Sequence, residues 1–519
     1  MSDLVEDQLS LQEMREAVRR AKEAQAVYST YTQEQVDRIV KCVAEAAYQQ
    51  AERLARLAVE ETGFGVFEHK KLKNELASKG VYESIKDEKT IGVIRQNREK
   101  KVVEIAYPYG VIAAILPTTN PTATAIFKTL IALKTGNAIV ASPHPSAAHC
   151  TVEALKVCCE AAVDAGAPAG LIGWISRPSI QTTNELMRHE DVNLILATGG
   201  SGLVRAAYSS GKPAYGVGPG NGPSYLEKTA NVKMAVKRIV DSKTFDNGTL
   251  CSSEQSIVVH KNIKEMTLRE LRNNGAYILN EAEKKLLEDV ISPTRGQLNP
   301  KIVGRSAETI AAMAGITVPP GTRVLVAEED RVGKDVPLSI EKLSPILALY
   351  TVRDDEEAIE RCLALLNLGG RGHTCSIHSN DEKVIERFAL AMPVSRLIVN
   401  SLASLGAAGG TTGLMPSLTL GCGSYGGNIS SDNITARHLI NIKRIAYGIK
   451  ELDIPVPKSA PRQAEPVPAG GFVRRAEANN LEPIVRQVMQ KAGTRLQGID
   501  PDEVAKIVQT ILENYVKRP

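Results

Sequence analysis

Residues 110–142, GVIAAILPTTNPTATAIFKTLIALKTGNAIVAS, read as strand, helix, strand. GVIAAILP is an unbroken apolar run, the pattern of a strand covered on both faces. PTATAIFKTLIALKTGN continues as a helix opened by Pro121 at its first position and closed near Gly136. AIVAS is the next strand. Two strands joined by a crossover helix form a parallel pair, because only a long connection returns the chain to the same edge. The unit recurs downstream, where VNLILATGG runs into the helix SGLVRAAYSSG. A doubly wound parallel sheet is therefore predicted over about residues 100–225.

Working outward, residues 10–60 carry long helical periodicity. From about residue 231 to 428 a second α/β unit contains the strand-like runs QSIVVH, RVLVAEE, PILALYTV and RLIVN. The glycine-rich LTLGCGSYGGN then leads into ISSDNITARHLINIKRIAY, β-branched and alternating toward its end. IPVPKSAPRQAEPVPAGGF holds five prolines in 19 residues and reads as an extended linker. The predicted architecture is two doubly wound parallel-sheet domains, 1–230 and 231–428, followed by an oligomerisation segment over 429–454. A Pro-rich linker over 455–473 and a helical tail over 474–519 complete it.

Composition narrows the function. The chain has 519 residues, 43% of them hydrophobic, with a net charge of +4. That charge is too small to argue for nucleic acid, and no window approaches the apolar length of a membrane span. The N-terminus is acidic and polar, so a cytoplasmic location is expected. The eight cysteines lack CxxC pairs, and no His/Cys/Asp/Glu cluster has metal-ligand spacing, so neither a disulfide framework nor a metal is expected. Cys251 alone lies among small and polar residues, in TFDNGTLCSSEQS (244–256), where a thiol can be an inert filler or a nucleophile. Asn120 stands just before a helix, where an asparagine is usually a cap. Thr198, Gly199 and Gly200 end a strand where a helix N-terminus can meet a phosphate, although such turns also serve packing alone.

In combination these motifs say more. FDNGTLC, followed by EKLSP and preceded by LPTTNP, resembles the aldehyde dehydrogenase superfamily over most of residues 10–450. On that resemblance Cys251 is the nucleophile, Asn120 helps to hold the oxyanion, and Glu341 of EKLSP contacts the nicotinamide ribose. Leu343 and Ser344 replace a phenylalanine and a glycine of the family motif, and Ser142 stands where many members have a ribose-binding lysine. The set expected to bind the cofactor is Thr118, Ser142, Pro143, His144, Thr198, Gly199, Gly200, Gly218, Glu341 and Leu343. Domain 1–230 is then the NAD- and CoA-binding domain, and 231–428 the catalytic one.

YGVGPGNGPSY departs from the hydrolytic members, which have a water-activating glutamate where Val217 stands. Valine takes no proton, so a thiol is the expected acyl acceptor; with a pKa near 8.5 it is ionised to about a few per cent at pH 7. ASPHPSA, GVGPGNGP, RGHTCSIHS and PSLTLGCGSYGGN resemble the CoA-acylating aldehyde dehydrogenases, including those of bacterial microcompartments. The resemblance implies NAD and coenzyme A, a short aliphatic aldehyde (propionaldehyde or acetaldehyde) and a homodimer or homotetramer. His373 of GRGHTCS becomes a catalytic candidate, against a simple backbone-satisfying role. Oxidation to a free acid and a mainly structural adaptor remain the alternatives.

The tail carries two apolar helical stripes. The first is Leu481, Ile484, Val485, Val488, Met489 and Ala492; the second begins behind Asp500, Pro501 and Glu503, a capping pattern. A linker followed by short amphipathic helices resembles encapsulation peptides, so the expected partner is a microcompartment shell or another cargo protein. The bland alternative is packing on the enzyme's own surface.

Overall fold

The computed structural model describes residues 2–294 and 296–455, with side chains from residue 6 onward. The 474–519 tail lies outside the described residues, as does the linker beyond Pro455. Lys450–Pro519 forms a unit of its own, and its described part has no helix or strand.

The helical periodicity of residues 10–60 becomes three helices, Ser2–Tyr28, Gln33–Gln49 and Ala51–Thr62. Thr32 and Gln35 form a reciprocal capping box that starts the second. Gly63, at φ 64°, ends the third in the left-handed region that glycine enters without strain. A fourth helix, Phe67–Glu75, continues through a π-helical turn at Leu76–Gly80. Strands β1 (Gly92–Asn97) and β2 (Val102–Pro108) then form an antiparallel hairpin that the sequence reading did not anticipate.

The first sheet is the predicted one. Its strands are β3 (Val111–Ile115), β4 (Ala138–Ser142), β5 (Ile172–Trp174), β6 (Val192–Thr198) and β7 (Ala214–Val217). All are parallel, in the order β5-β4-β3-β6-β7. Every residue of β3 and β4 is buried, as is every residue of the helix Pro121–Lys134 between them. Each such Leu, Ile or Phe contributes roughly 1.5–3 kcal/mol, enough to fix this unit as the centre of the core. The chain winds outward through β4 and β5, then restarts beside β3 with β6. The β3/β6 junction is the topological switch point, where ligands settle beyond the strand carboxyl ends.

The second sheet contains β8 (Gly222–Leu226), β9 (Glu254–His260), β10 (Ala276–Ile278), β11 (Val324–Glu328), β12 (Ile346–Val352), β13 (Gly372–His378) and β14 (Val394–Val399). It too is parallel, in the order β10-β11-β12-β9-β8-β13-β14. It begins at β8, ahead of the expected 230/231 boundary. Only four residues, 218–221, separate it from β7. The carboxyl ends of the first sheet therefore face the amino ends of the second across a very short link.

The last strand, β15 (Ile440–Ala446), lies in the expected oligomerisation segment. It pairs antiparallel with β2 of its own chain, giving a three-stranded sheet β1-β2-β15. The unanticipated hairpin supplies its pairing partner. Val93, Tyr107, Ile442 and Ile445 remain exposed on this sheet.

Candidate active site

A cleft of about 1070 Å³ opens between the two sheets. Pro117 to Asn120 enter it from the end of β3, Thr198 to Gly200 from β6, and Val217 and Gly218 from β7. Cys251 enters from the loop before β9, with Glu341 and Leu343 from the segment before β12. Asn120 and Cys251, 131 positions apart in the chain, thus line one cleft.

The nucleophile loop is held by a buried ion cluster. Asp246 and Asn247 take φ of 49° and 52°, the left-handed region that costs a non-glycine residue about 1–2 kcal/mol each. Asp246 offsets that strain. It accepts from the Val66 amide at 2.8 Å, Lys70 Nζ at 3.0 Å and the Thr249 hydroxyl at 2.7 Å, and also from Lys73. Burial opposes its ionisation, but Lys73 and Lys70 overrule it and hold the carboxyl well below the usual range. Its own amide donates to His69 Nδ1 at 2.9 Å. The result is a preset turn that delivers Cys251 to the cleft.

Cys251 is half-buried and unpaired. Burial first, then Glu341 and Cys422, push its thiol up to about 12; Arg396 and the Cys251 amide pull the other way. The resting group is a thiol. Arg396 is itself buried and donates to the carbonyls of His373, Gly421 and Ser431 and to Thr374 Oγ1 and Asn433 Oδ1. Among the described residues no carboxylate is in direct contact with it, and it lies within Coulombic reach of the nucleophile.

Asn120 does not act as a cap: its side chain makes no capping bond to the helix it precedes. An asparagine in this place forgoes roughly 1 kcal/mol of helix stabilisation. Its Oδ1 accepts from Lys73 instead, and its Nδ2 donates to Thr119 Oγ1 at 3.2 Å. Glu341 Oε1 accepts from the Gly220 amide at 2.9 Å. Burial pushes Glu341 up to about 7. Gly220 allows no side chain, because a Cβ there would lie 2.1 Å from the Cys251 carbonyl oxygen and 3.3 Å from the His373 ring.

Of the residues expected to hold the cofactor, Thr118, Pro143, His144, Thr198, Gly199, Gly200, Gly218, Glu341 and Leu343 line the cleft. The helix Ser201–Tyr208 starts there without a side-chain cap, and nothing lies within 4 Å of where a Cβ on Gly200 or Gly202 would sit. Thr198 Oγ1 is buried without a partner. Open amides, empty space and an unused hydroxyl fit a pyrophosphate at a helix N-terminus. Leu343 is strained, at φ 46°. Ser142 stands apart: it is buried at the end of β4 and shares a 2.8 Å hydrogen bond with Thr183, which lines the cleft in its place. His373 is also fully buried, behind Gly220, with Nδ1 3.0 Å from Thr374 Oγ1 and Nε2 unpartnered. Burial and then Arg396 bring it down to about 3, so it is neutral near pH 7. Val217 is buried and faces the cleft, opposite Thr198 in the β6–β7 register.

The profile described as "Aldehyde dehydrogenase family" matches residues 7–291, more than half the chain. The chain belongs to the aldehyde dehydrogenase family. An acetylating aldehyde dehydrogenase from Geobacillus thermoglucosidasius is 54% identical, covers 86% of this chain and 99% of its own, and superposes with a TM-score of 0.86. The aldehyde-alcohol dehydrogenase of Clostridium acetobutylicum is 48% identical over 84% of this chain and 51% of its own length. The chain thus spans about half the length of the first curated relatives it matches. A propionaldehyde dehydrogenase from Rhodopseudomonas palustris, solved with bound CoA and an acylated cysteine, has a TM-score of 0.75 at 29% identity. It covers 84% of this chain and 97% of its own.

The sequence reading missed Lys70, Lys73, Asp246 and Arg396. Asp246 was inside the quoted motif and was given no role. The lysines of EHKKLKNE carry the i, i+3 spacing of an ordinary solvated helix face. A signal existed only in combination, as a motif aspartate needing a buried counter-charge.

Proposed function

We propose that this protein oxidises a short aliphatic aldehyde, acetaldehyde or propionaldehyde, to its acyl-CoA, using NAD and coenzyme A. One observation carries the reading: Cys251, Asn120 and Val217 share a cleft, and by the motif resemblance Val217 stands where hydrolytic members have their glutamate. Cys251, once its thiol proton has passed to solvent, forms a C–S bond to the aldehyde carbon as thiolate while the carbonyl electrons move onto oxygen. The Asn120 amide and the Cys251 backbone N–H hold that oxygen, such donors being worth roughly 3 kcal/mol each. NAD supplies the acceptor for the hydride that leaves the tetrahedral carbon, and a thioester remains on Cys251. The CoA thiolate then attacks this carbonyl and expels the Cys251 thiolate. His373, neutral and with Nε2 free, is proposed as a hydrogen-bonding partner near this exchange rather than as a proton store. Phe64, Leu250, Val303, Ala408, Leu418 and Leu420 offer an apolar lining suited to a short alkyl chain.

The second reading is oxidation to the free acid. Two carboxylates line the cleft among the described residues. Glu61 is engaged by the amides of His149 and Cys150, which leaves Glu341, at about 7, as the one placed to act as a base. Acetaldehyde and NAD, followed with and without CoA, separate the two: CoA-dependent NADH formation supports acyl transfer, and CoA-independent turnover supports the free acid. Val217→Glu should raise thioester hydrolysis without CoA. A folded variant with no gain in acid product would mean that the missing carboxylate is not what spares the thioester.

We also propose assembly at least as a dimer through the β1-β2-β15 sheet, whose β15 edge is unpaired and whose exposed Val93, Ile442 and Ile445 favour cover. A monomer by light scattering at micromolar concentration would exclude it. The tail stripes support docking to a microcompartment shell or cargo protein by helix-in-groove packing. Deleting residues 459–519 should abolish shell association and leave soluble kinetics near wild type.

A further inference from the structure

Two lysines converge on one carboxylate beneath the cleft, and only one of them is needed there. Asp246 already has Lys70, the Val66 amide and the Thr249 hydroxyl. Lys73, fully buried, spends a second proton on Asn120 Oδ1. An ammonium has donors and no acceptor, so it can face only the oxygen end of a carboxamide. Asn120 receives no orientation from helix capping. Its oxygen is held by Lys73, and its NH₂ is left with one hydrogen on Thr119 Oγ1 and one to give to the cleft. Lys70 steadies the same loop through the Thr119 carbonyl at 3.2 Å.

We propose that Lys73 is a positioning residue, which fixes the flip of the Asn120 amide so that its N–H, not its carbonyl, meets the developing oxyanion. Asp246 locks Lys73 in turn, so that the same ion cluster sets the nucleophile turn and the oxyanion donor. This rests on the oxyanion role proposed for Asn120. With Lys73 gone, the amide rotates freely and presents its oxygen to a negative charge for part of the time. The uncapped start of Ser201–Tyr208, offered to NAD, makes no contact with Lys73 and should be untouched.

Single-turnover NADH formation from acetaldehyde reads the acylation step in wild type, Lys73→Met, Asn120→Ala and the double variant. Losing one oxyanion donor lowers such steps by about 10²–10³-fold, which is expected for Asn120→Ala. Lys73→Met should lose roughly tenfold or more with unchanged NADH affinity, and the double variant should be no slower than Asn120→Ala alone. Lys73→Arg keeps a donor-only cation facing Asn120 Oδ1 and Asp246 and should recover most of the rate, even where the Met variant does not fold. Losses that multiply in the double variant, or a folded Arg variant as slow as Met, overturn the inference and leave the Asn120 role standing. Asn120→Ala with wild-type acylation overturns that role and this inference together.

Discussion

Beyond β3 to β7 the cleft wall is left unfinished: the Ser201–Tyr208 helix starts uncapped, Thr198 Oγ1 has no partner, and Gly200 and Gly202 face open space. Around Cys251 the opposite holds. The loop is crowded, its turn is strained, and each oxygen of the Asp246 carboxylate is engaged. The difference follows from what each wall does. A binding surface keeps its donors unsatisfied so that a ligand completes them, whereas a chemical surface must be rigid before the substrate arrives. Substitutions in the two walls should therefore fail in different ways, one through affinity and the other through rate or folding.

The largest expected effect is Cys251→Ala. Without the sulfur no thioester forms, and the oxyanion donors have nothing to stabilise, so turnover is lost while NADH and CoA binding persist. Equilibrium binding beside steady-state kinetics measures both halves. A residual rate above about a hundredth of wild type would break the assignment of the chemical wall.

Asp246→Asn comes next and tests rigidity. It leaves Lys70 and Lys73 buried without a carboxylate, and breaking such a pair costs about 3–5 kcal/mol. Urea denaturation should show that loss, with activity falling alongside. A variant as stable as wild type would mean that the turn around Cys251 is held by packing alone, and the contrast between the walls would weaken.

These residues also mark where the sequence stopped being legible. β3, the helix after it and β4 were readable because they are buried on all sides and so uniformly apolar. Cys251, Asn120, Glu341 and Val217 were found through the family motifs they resemble, and the structure brings them into one cleft. Lys73 and Asp246 were not, since a lysine on a helix is normally solvated and its burial depends on a partner 173 positions away. Ser142 lies outside the cleft lining for a related reason: strand ends point alternately into the cleft and the core, and its side chain bonds to Thr183. The β1–β2 hairpin escaped because its residues are mostly part-exposed, which blurs the apolar alternation.

On the binding wall the effect is smaller and of mixed sign. Gly202→Asp puts a carboxylate in the first turn of Ser201–Tyr208, where the helix dipole favours it, so stability should hold or rise slightly. The same charge occupies the place offered to a pyrophosphate. Affinity for NADH should fall about tenfold, near 1.4 kcal/mol. Calorimetric titration and a melting curve on one preparation read both signs. Equal affinities would remove this helix from the binding wall.

The smallest effect lies where the walls meet. Glu341 pushes the Cys251 thiol up, after burial itself, and is itself raised to about 7, chiefly by burial. Below that pH Glu341 is neutral and exerts no repulsion; as pH rises through 7 it ionises and makes the thiolate harder to form. Glu341→Gln preserves the acceptor for the Gly220 amide and removes the charge. Alkylation of Cys251 by iodoacetamide should therefore proceed alike in both proteins at pH 6. At pH 8–9 it should be roughly threefold to fivefold faster in the variant, the size of a like-charge interaction of about 1 kcal/mol. Binding of NAD ribose would suffer in the same variant if the carboxylate swings outward to meet it. A thiol profile unchanged at every pH, with weaker NADH binding, would assign Glu341 wholly to the binding wall. The carboxylate would then serve one wall and merely border the other.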